Sequence, residues 1–124
     1  IAKAQLPGMF GKTTRARHPE LDAPIESMMR RQPVETIANA LEALRDRPDS
    51  TPTLETISVP TLVMCGEEDA LTPMPDSELM QARIPGSRLE RIPEAGHLSN
   101  FESPATFNRL LSEFLTATIR DNPT

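Results

Sequence analysis

The chain has 124 residues with 13 basic and 18 acidic side chains, a formal net charge of −5. That balance argues against a nucleic-acid partner or a membrane surface held by a basic face, and no run approaches the roughly 18–20 apolar residues of a membrane span. A single cysteine, Cys65, excludes an intrachain disulfide framework and a multi-cysteine zinc site, and it makes a reducing cytoplasm the expected compartment.

The length suits one domain, yet the chain reads as two parts. Residues 1–53 look helical and polar, residues 54–120 alternate strand-like and helical runs, and residues 121–124 read as a frayed tail. The opening Ile1-Ala-Lys-Ala shows no leader pattern and no initiator methionine, so a processed or truncated chain is expected. From Gln5 to Pro19, two glycines and two prolines predict a loop. Pro24 predicts the opening of a short helix with Ile25, Met28 and Met29 on one face. Core packing explains that face, and a methionine-lined substrate pocket is the alternative. Pro33 suits the start of a second helix, with Val34, Ile37, Ala38, Leu41 and Leu44 on one side. Pro48 disfavours helical geometry at Arg47 and ends it.

Residues 61–65 form a continuous apolar and β-branched run closed by Gly66, which predicts a strand buried on both faces. An acidic, turn-rich loop follows over residues 67–73. A helix starting near Pro75 and Asp76 carries Leu79 and Met80, and Pro85-Gly86 stops it. Residues 88–92 read as a second strand and residues 93–100 as a second loop. Ser103 and Pro104 open the clearest amphipathic helix, with Phe107, Leu110, Leu111, Phe114 and Leu115 on its apolar stripe. The order strand, loop, helix, strand, loop, helix is a βαβα unit with a parallel pair and a right-handed crossover.

Both loops leave the carboxyl edge of that pair, where open α/β sheets place their sites. Asp69 stands four residues past the first predicted strand and His97 five past the second. An aspartate that accepts from one imidazole nitrogen fixes the tautomer and frees the other nitrogen as a base. On spacing alone, Asp69 reads equally as a turn former and His97 as a surface histidine.

The segment Val59-Pro-Thr-Leu-Val-Met-Cys-Gly-Glu-Glu-Asp-Ala-Leu-Thr-Pro73 resembles the seventh-strand segment of the α/β-hydrolase fold. Ile92-Pro-Glu-Ala-Gly-His-Leu-Ser-Asn-Phe-Glu-Ser-Pro104 resembles that family's histidine segment, and the helix around residues 107–115 its last helix. Residues 1–53 resemble the helical cap that precedes the seventh strand. The His-Leu-Ser-Asn-x-Glu-x-Pro form is similar to that of 3-oxoadipate enol-lactonases and related small esterases. The resemblance implies that Asp69 is the acid and His97 the base of a catalytic triad. The family's order is nucleophile, acid, base, and this sequence contains neither Gly-x-Ser-x-Gly nor Gly-x-Asp-x-Gly. A serine nucleophile would mean ester or lactone hydrolysis, and an aspartate would mean dehalogenase or epoxide hydrolase chemistry.

The remaining candidates carry structural readings. Ser99 belongs to the loop after the base, Cys65 reads as a core thiol, and His18 as a surface residue. Glu67 and Glu68 read as solvated, or as competitors of Asp69 for the histidine. Arg47 and Asp49 read as a local ion pair below the cap, with a substrate-binding role the alternative. Glu102 reads as a partner of backbone N–H groups rather than of substrate. The sequence shows no metal-ligand cluster, and neither a metal nor a cofactor is expected. Two functions follow as expectations. One is the C-terminal portion of a hydrolase acting on a small ester or lactone and completed by a missing N-terminal half. The other is a non-catalytic module that self-associates through its sheet edge.

Overall fold

The computed structural model describes residues 2–121. Four helices lead: α1 (Ala2–Met9), α2 (Lys12–Arg17), α3 (Asp22–Arg30) and α4 (Val34–Arg45), with 3-10 turns at Pro19–Leu21 and Thr51–Thr56. Strand β1 (Leu62–Gly66), helix α5 (Met74–Arg83), strand β2 (Arg88–Ile92), the short α6 (Ser99–Glu102) and the long α7 (Pro104–Asp121) complete the chain. Apart from Asp121, which closes α7, the tail expected over residues 121–124 lies outside the described residues.

The loop expected from Gln5 to Pro19 is instead α1, α2 and a 3-10 turn. Pro7 lies inside α1 and Gly11 is the N-cap of α2. These residues interrupt helical propensity, but tertiary packing overrides it. Leu6 and Phe10 bury their side chains with Ile25 of α3, and Leu21, Met29 and Leu98 close around them. The α4 helix forms where its periodicity predicts, starting one residue past Pro33. Its apolar stripe, however, stays largely open: Val34 is 82% exposed and Leu44 60%.

Strands β1 and β2 pair in parallel, with Leu62 opposite Arg88 and Gly66 opposite Ile92. The α5 helix covers one face of this ribbon, where Glu78 pairs with Arg91 of β2. The α7 helix covers the other, where Met64, Ile92, Ala95, Leu110 and Phe107 form a cluster around the fully buried Ile92. Val63 and Cys65 are buried and Leu62 and Met64 only half-buried, so the strand expected to be covered on both faces is closed on one and partly open on the other. Gly86 takes a positive φ of 71° in the turn between α5 and β2, a conformation that favours glycine and ends the helix where Pro85-Gly86 predicts.

Because Ile92 is, among the described residues, the one large side chain fully withdrawn from solvent, it is the test of this core. Ile92→Ala should lower the unfolding free energy by about 2–5 kcal/mol. Urea midpoints read it, and a loss under about 1 kcal/mol would remove the α7–sheet cluster as the centre of the fold.

Candidate active site

Parallel pairing brings both strand ends to one edge, and the backbone beyond them stays in contact. Glu67 N–H donates to the Ile92 carbonyl at 3.0 Å, and Glu68 N–H to the Ala95 carbonyl at 2.8 Å. Gly66 makes this approach possible, since a Cβ there would stand 2.3 Å from the carbonyl oxygens of both Ala95 and Gly96. The loop after β1 and the loop after β2 therefore run side by side, and Asp69 and His97 meet across them.

His97 Nδ1 lies 3.0 Å from Asp69 Oδ2. The Asp69 side chain is only 6% exposed, whereas His97 is 36% exposed and faces solvent. Each remaining bond to Asp69 comes from its own loop. Leu71 N–H and Thr72 N–H donate to Oδ1 at 2.9 and 3.0 Å, and the Thr72 hydroxyl donates to Oδ2 at 2.7 Å. An ionised carboxylate only accepts, so Nδ1 carries the proton shared with it. The Thr72 oxygen, 3.3 Å from Nδ1, is a second acceptor for that proton. Burial pushes the Asp69 carboxyl up. The Thr72 backbone and hydroxyl, the His97 ring and the Leu71 N–H outweigh it and hold the carboxyl below its ordinary value. The pair is thus an ionised acid orienting an imidazole, an arrangement that can take a proton from a nucleophile and return it to a leaving group.

Thr72 belongs to this candidate site and is absent from the sequence expectations. Its signal is the Asp-x-x-Thr spacing in a turn-rich loop, which lets one carboxylate close a turn on a hydroxyl three residues on. Glu68 corrects an expectation. It neither stays solvated nor competes for His97, but accepts Thr13 N–H at 2.7 Å and the Thr13 hydroxyl at 2.6 Å. Burial raises its pKa; the Thr13 bonds and the charges of Lys12 and Arg17 reverse this and leave it lowered. Glu67 is exposed as read. Glu102 meets its reading: its two oxygens accept Gly11 N–H at 2.8 Å and Gly96 N–H at 2.9 Å.

Met29 packs on the Leu6–Phe10–Ile25 cluster, and Met28 is 47% exposed. Neither is among the residues lining the two clefts beside the Asp69 loop. One cleft, of about 640 Å³, is lined by Arg47, Asp49, Leu54, Thr72 and Met80. Another, of about 510 Å³, is more apolar and is lined by Met9, Ile37, Leu41, Leu44 and Leu71. The Arg47–Asp49 ion pair does not form. Asp49 instead accepts Thr51 N–H at 2.9 Å in a local turn. Cys65 is buried, with its thiol toward the carbonyls of Gly66 and Thr72, and His18 is an exposed partner of Glu20. Among the described residues, only Asp69 and Thr72 hydrogen-bond the His97 ring, and Ser99 does not. Among them, too, no cluster of three His, Cys, Asp or Glu side chains is placed to hold a metal, and no helix is long and apolar enough to cross a membrane.

Comparison with known proteins agrees with this fold. The model of the alpha/beta hydrolase fold family matches residues 3–104. A 3-oxoadipate enol-lactonase of Acinetobacter baylyi is 40% identical over 83 residues, which are 67% of this chain and 30% of that protein. A thermophilic esterase from Thermogutta terrifontis superposes with a TM-score of 0.91 at 36% identity, covering 95% of this chain and 43% of the esterase. The enol-lactonase from Burkholderia xenovorans superposes with a TM-score of 0.84 at 30% identity, covering 93% of this chain and 44% of that one. The chain therefore spans less than half the length of each of these relatives.

The lowered pKa of Asp69 fixes the sign of a pH effect. Its bonds stabilise the fold fully above the ordinary carboxylate value of 3.8, and that contribution is lost as pH falls through the lower folded value. Asp69→Asn should be less stable than the native protein near neutrality and should lose less on acidification between about pH 6 and pH 3. Urea melts at both ends of that window test it; equal acid losses in the two proteins would refute it.

Proposed function

This chain belongs to the α/β-hydrolase fold family, and we propose that it is the acid- and base-bearing part of a hydrolase of small esters or lactones. The observation that carries this reading is the Asp69–His97 Nδ1 hydrogen bond, made by two loops at one sheet edge, with the His97 ring partly exposed. The names of the esterase and enol-lactonase relatives support the substrate class. In the complete enzyme, His97 Nε2 takes the proton from the nucleophile as its oxygen attacks the acyl carbon. The imidazolium, stabilised by Asp69, then protonates the departing alkoxide. The same base next activates water against the acyl-enzyme. Residues 1–53 act as the helical cap over this edge. None of these steps calls on a cofactor. The single buried thiol of Cys65 suits a reducing compartment, the cytoplasm.

The nucleophile and its oxyanion donors come from a companion half docked on the free edge of β1. Two features support this partner. A two-stranded ribbon is marginal alone, and large apolar side chains stay uncovered at Val34 and Leu44 of α4 and at Leu115 and Ile119 of α7. A free hydrophobic edge of this kind invites a neighbouring strand. The same uncovered faces support a second reading, a non-catalytic module that pairs with copies of itself.

His97→Ala in the complete enzyme should lower turnover of an activated ester by at least ~10³-fold; near-native turnover would end the catalytic reading. Light scattering on the 124-residue chain separates the readings of assembly. Recruitment of the nucleophile-bearing half into a one-to-one particle supports the first, and stable homo-oligomers indifferent to that half support the second.

A further inference from the structure

His97 is held from both sides by one stretch of the helical segment. Immediately before it, Gly96 N–H donates to Glu102 Oε1 at 2.9 Å, while the other oxygen of the same carboxylate accepts Gly11 N–H at 2.8 Å. Immediately after it, Leu98 N–H donates to the Met9 carbonyl at 3.2 Å. The backbones touch as well: a Cβ on Gly96 would stand 2.3 Å from Gly11 N. Upstream in the same loop, Glu94 takes a positive φ of 56°, a conformation a non-glycine residue rarely holds unaided. Its carbonyl accepts the Thr14 hydroxyl at 3.4 Å, and its carboxylate pairs with Arg17 at 2.8 Å.

We propose that Glu102 is a positioning residue for the base. Its half-buried carboxylate bridges the N–H groups of Gly96 and Gly11 and thereby fixes His97 against residues 9–11 in the orientation that meets Asp69. The proposal rests on the catalytic reading of His97 above. Its chemical basis is that a carboxylate offers two acceptor oxygens to two donors. An amide offers one, and its NH2 group would face the second N–H. An aspartate keeps the charge but is one methylene short, so it holds one strand of the bridge. Glu102 touches no reacting atom, so its effect reaches catalysis only through the placement of His97. Displacing a catalytic group by about 1 Å costs on the order of 10²-fold in rate.

The test compares Glu102→Gln, Glu102→Asp and the surface variant Arg109→Ala, which removes only an exposed ion pair with Glu113 on α7, in the complete enzyme, with p-nitrophenyl acetate as substrate. The bridge predicts a kcat about 10- to 100-fold lower for Glu102→Gln, with KM within about twofold, a smaller loss for Glu102→Asp, and no change for Arg109→Ala. A second readout needs no turnover: the hydrogen-bonded Nδ1 proton of His97 in NMR spectra. It should be present in the native protein and in Arg109→Ala, weakened in Glu102→Asp and lost in Glu102→Gln. Should Glu102→Gln fail to fold, the graded response of Glu102→Asp decides. Native kcat per folded molecule together with a native Nδ1 resonance in the glutamate variants would overturn the positioning role. The catalytic reading fails separately, through an active His97→Ala variant, and in that event the Nδ1 resonance still reports on the bridge.

Discussion

The structure turns on the close approach of backbone just beyond the two strands. Gly66 ends β1 under the carbonyls of Ala95 and Gly96, at a distance no Cβ tolerates. Glu67 and Glu68 then continue the ladder with two N–H bonds into the neighbouring loop. A parallel pair with matched ends aims its following loops in one direction, but only contact between those loops brings two side chains within a hydrogen bond. With a larger residue at Gly66, the loops would separate, and Asp69 and His97 would remain two unrelated polar residues at a sheet edge.

Three carboxylates organise what lies above that contact, and all three do so by accepting backbone N–H groups. Asp69 closes its own turn through Leu71 and Thr72 and so arrives at His97 already fixed. Glu68 takes the N–H of Thr13 at the start of α2, and Glu102 joins Gly11 to Gly96. Charge-assisted bonds of this kind are stronger than neutral ones. They also satisfy donors at the start of a helix and in tight loops, where the regular ladders supply no partner. The helical segment is thereby tied to the two site loops by polar bonds, while Leu6, Phe10 and Ile25 give it a small core of its own, to which Leu98 adds from the histidine loop.

The apolar surface divides in the same way. Side chains toward the α5 and α7 faces of the sheet, such as Cys65, Ile84, Ile92 and Leu110, are buried, whereas those of α4 and of the outer end of α7 remain open. The periodicity builds this apolar stripe and the fold leaves it uncovered, and it is the surface on which the proposed companion half would dock. This accords with a chain that spans under half of the relatives it superposes on.

Local pattern determined much of this from the sequence alone. The β-branched run ending at Gly66, the Pro85-Gly86 stop, strand residues 88–92 and the stripe from Phe107 to Leu115 all reflect periods and punctuation carried within a few residues. The order of those elements placed Asp69 and His97 at one edge. What only the tertiary structure decided is where propensity and contact disagree or where contact alone speaks. Residues 5–19 carry two prolines and two glycines, yet they form helices because Leu6 and Phe10 find Ile25 across the chain. Thr13, the partner of Glu68, lies 55 residues away, Gly11, one of the two partners of Glu102, lies 91 away, and Thr72 becomes part of the site only once the turn closes on Asp69. No local period encodes such pairings, because a carboxylate's partner is set by which N–H groups the folded backbone leaves unpaired beside it.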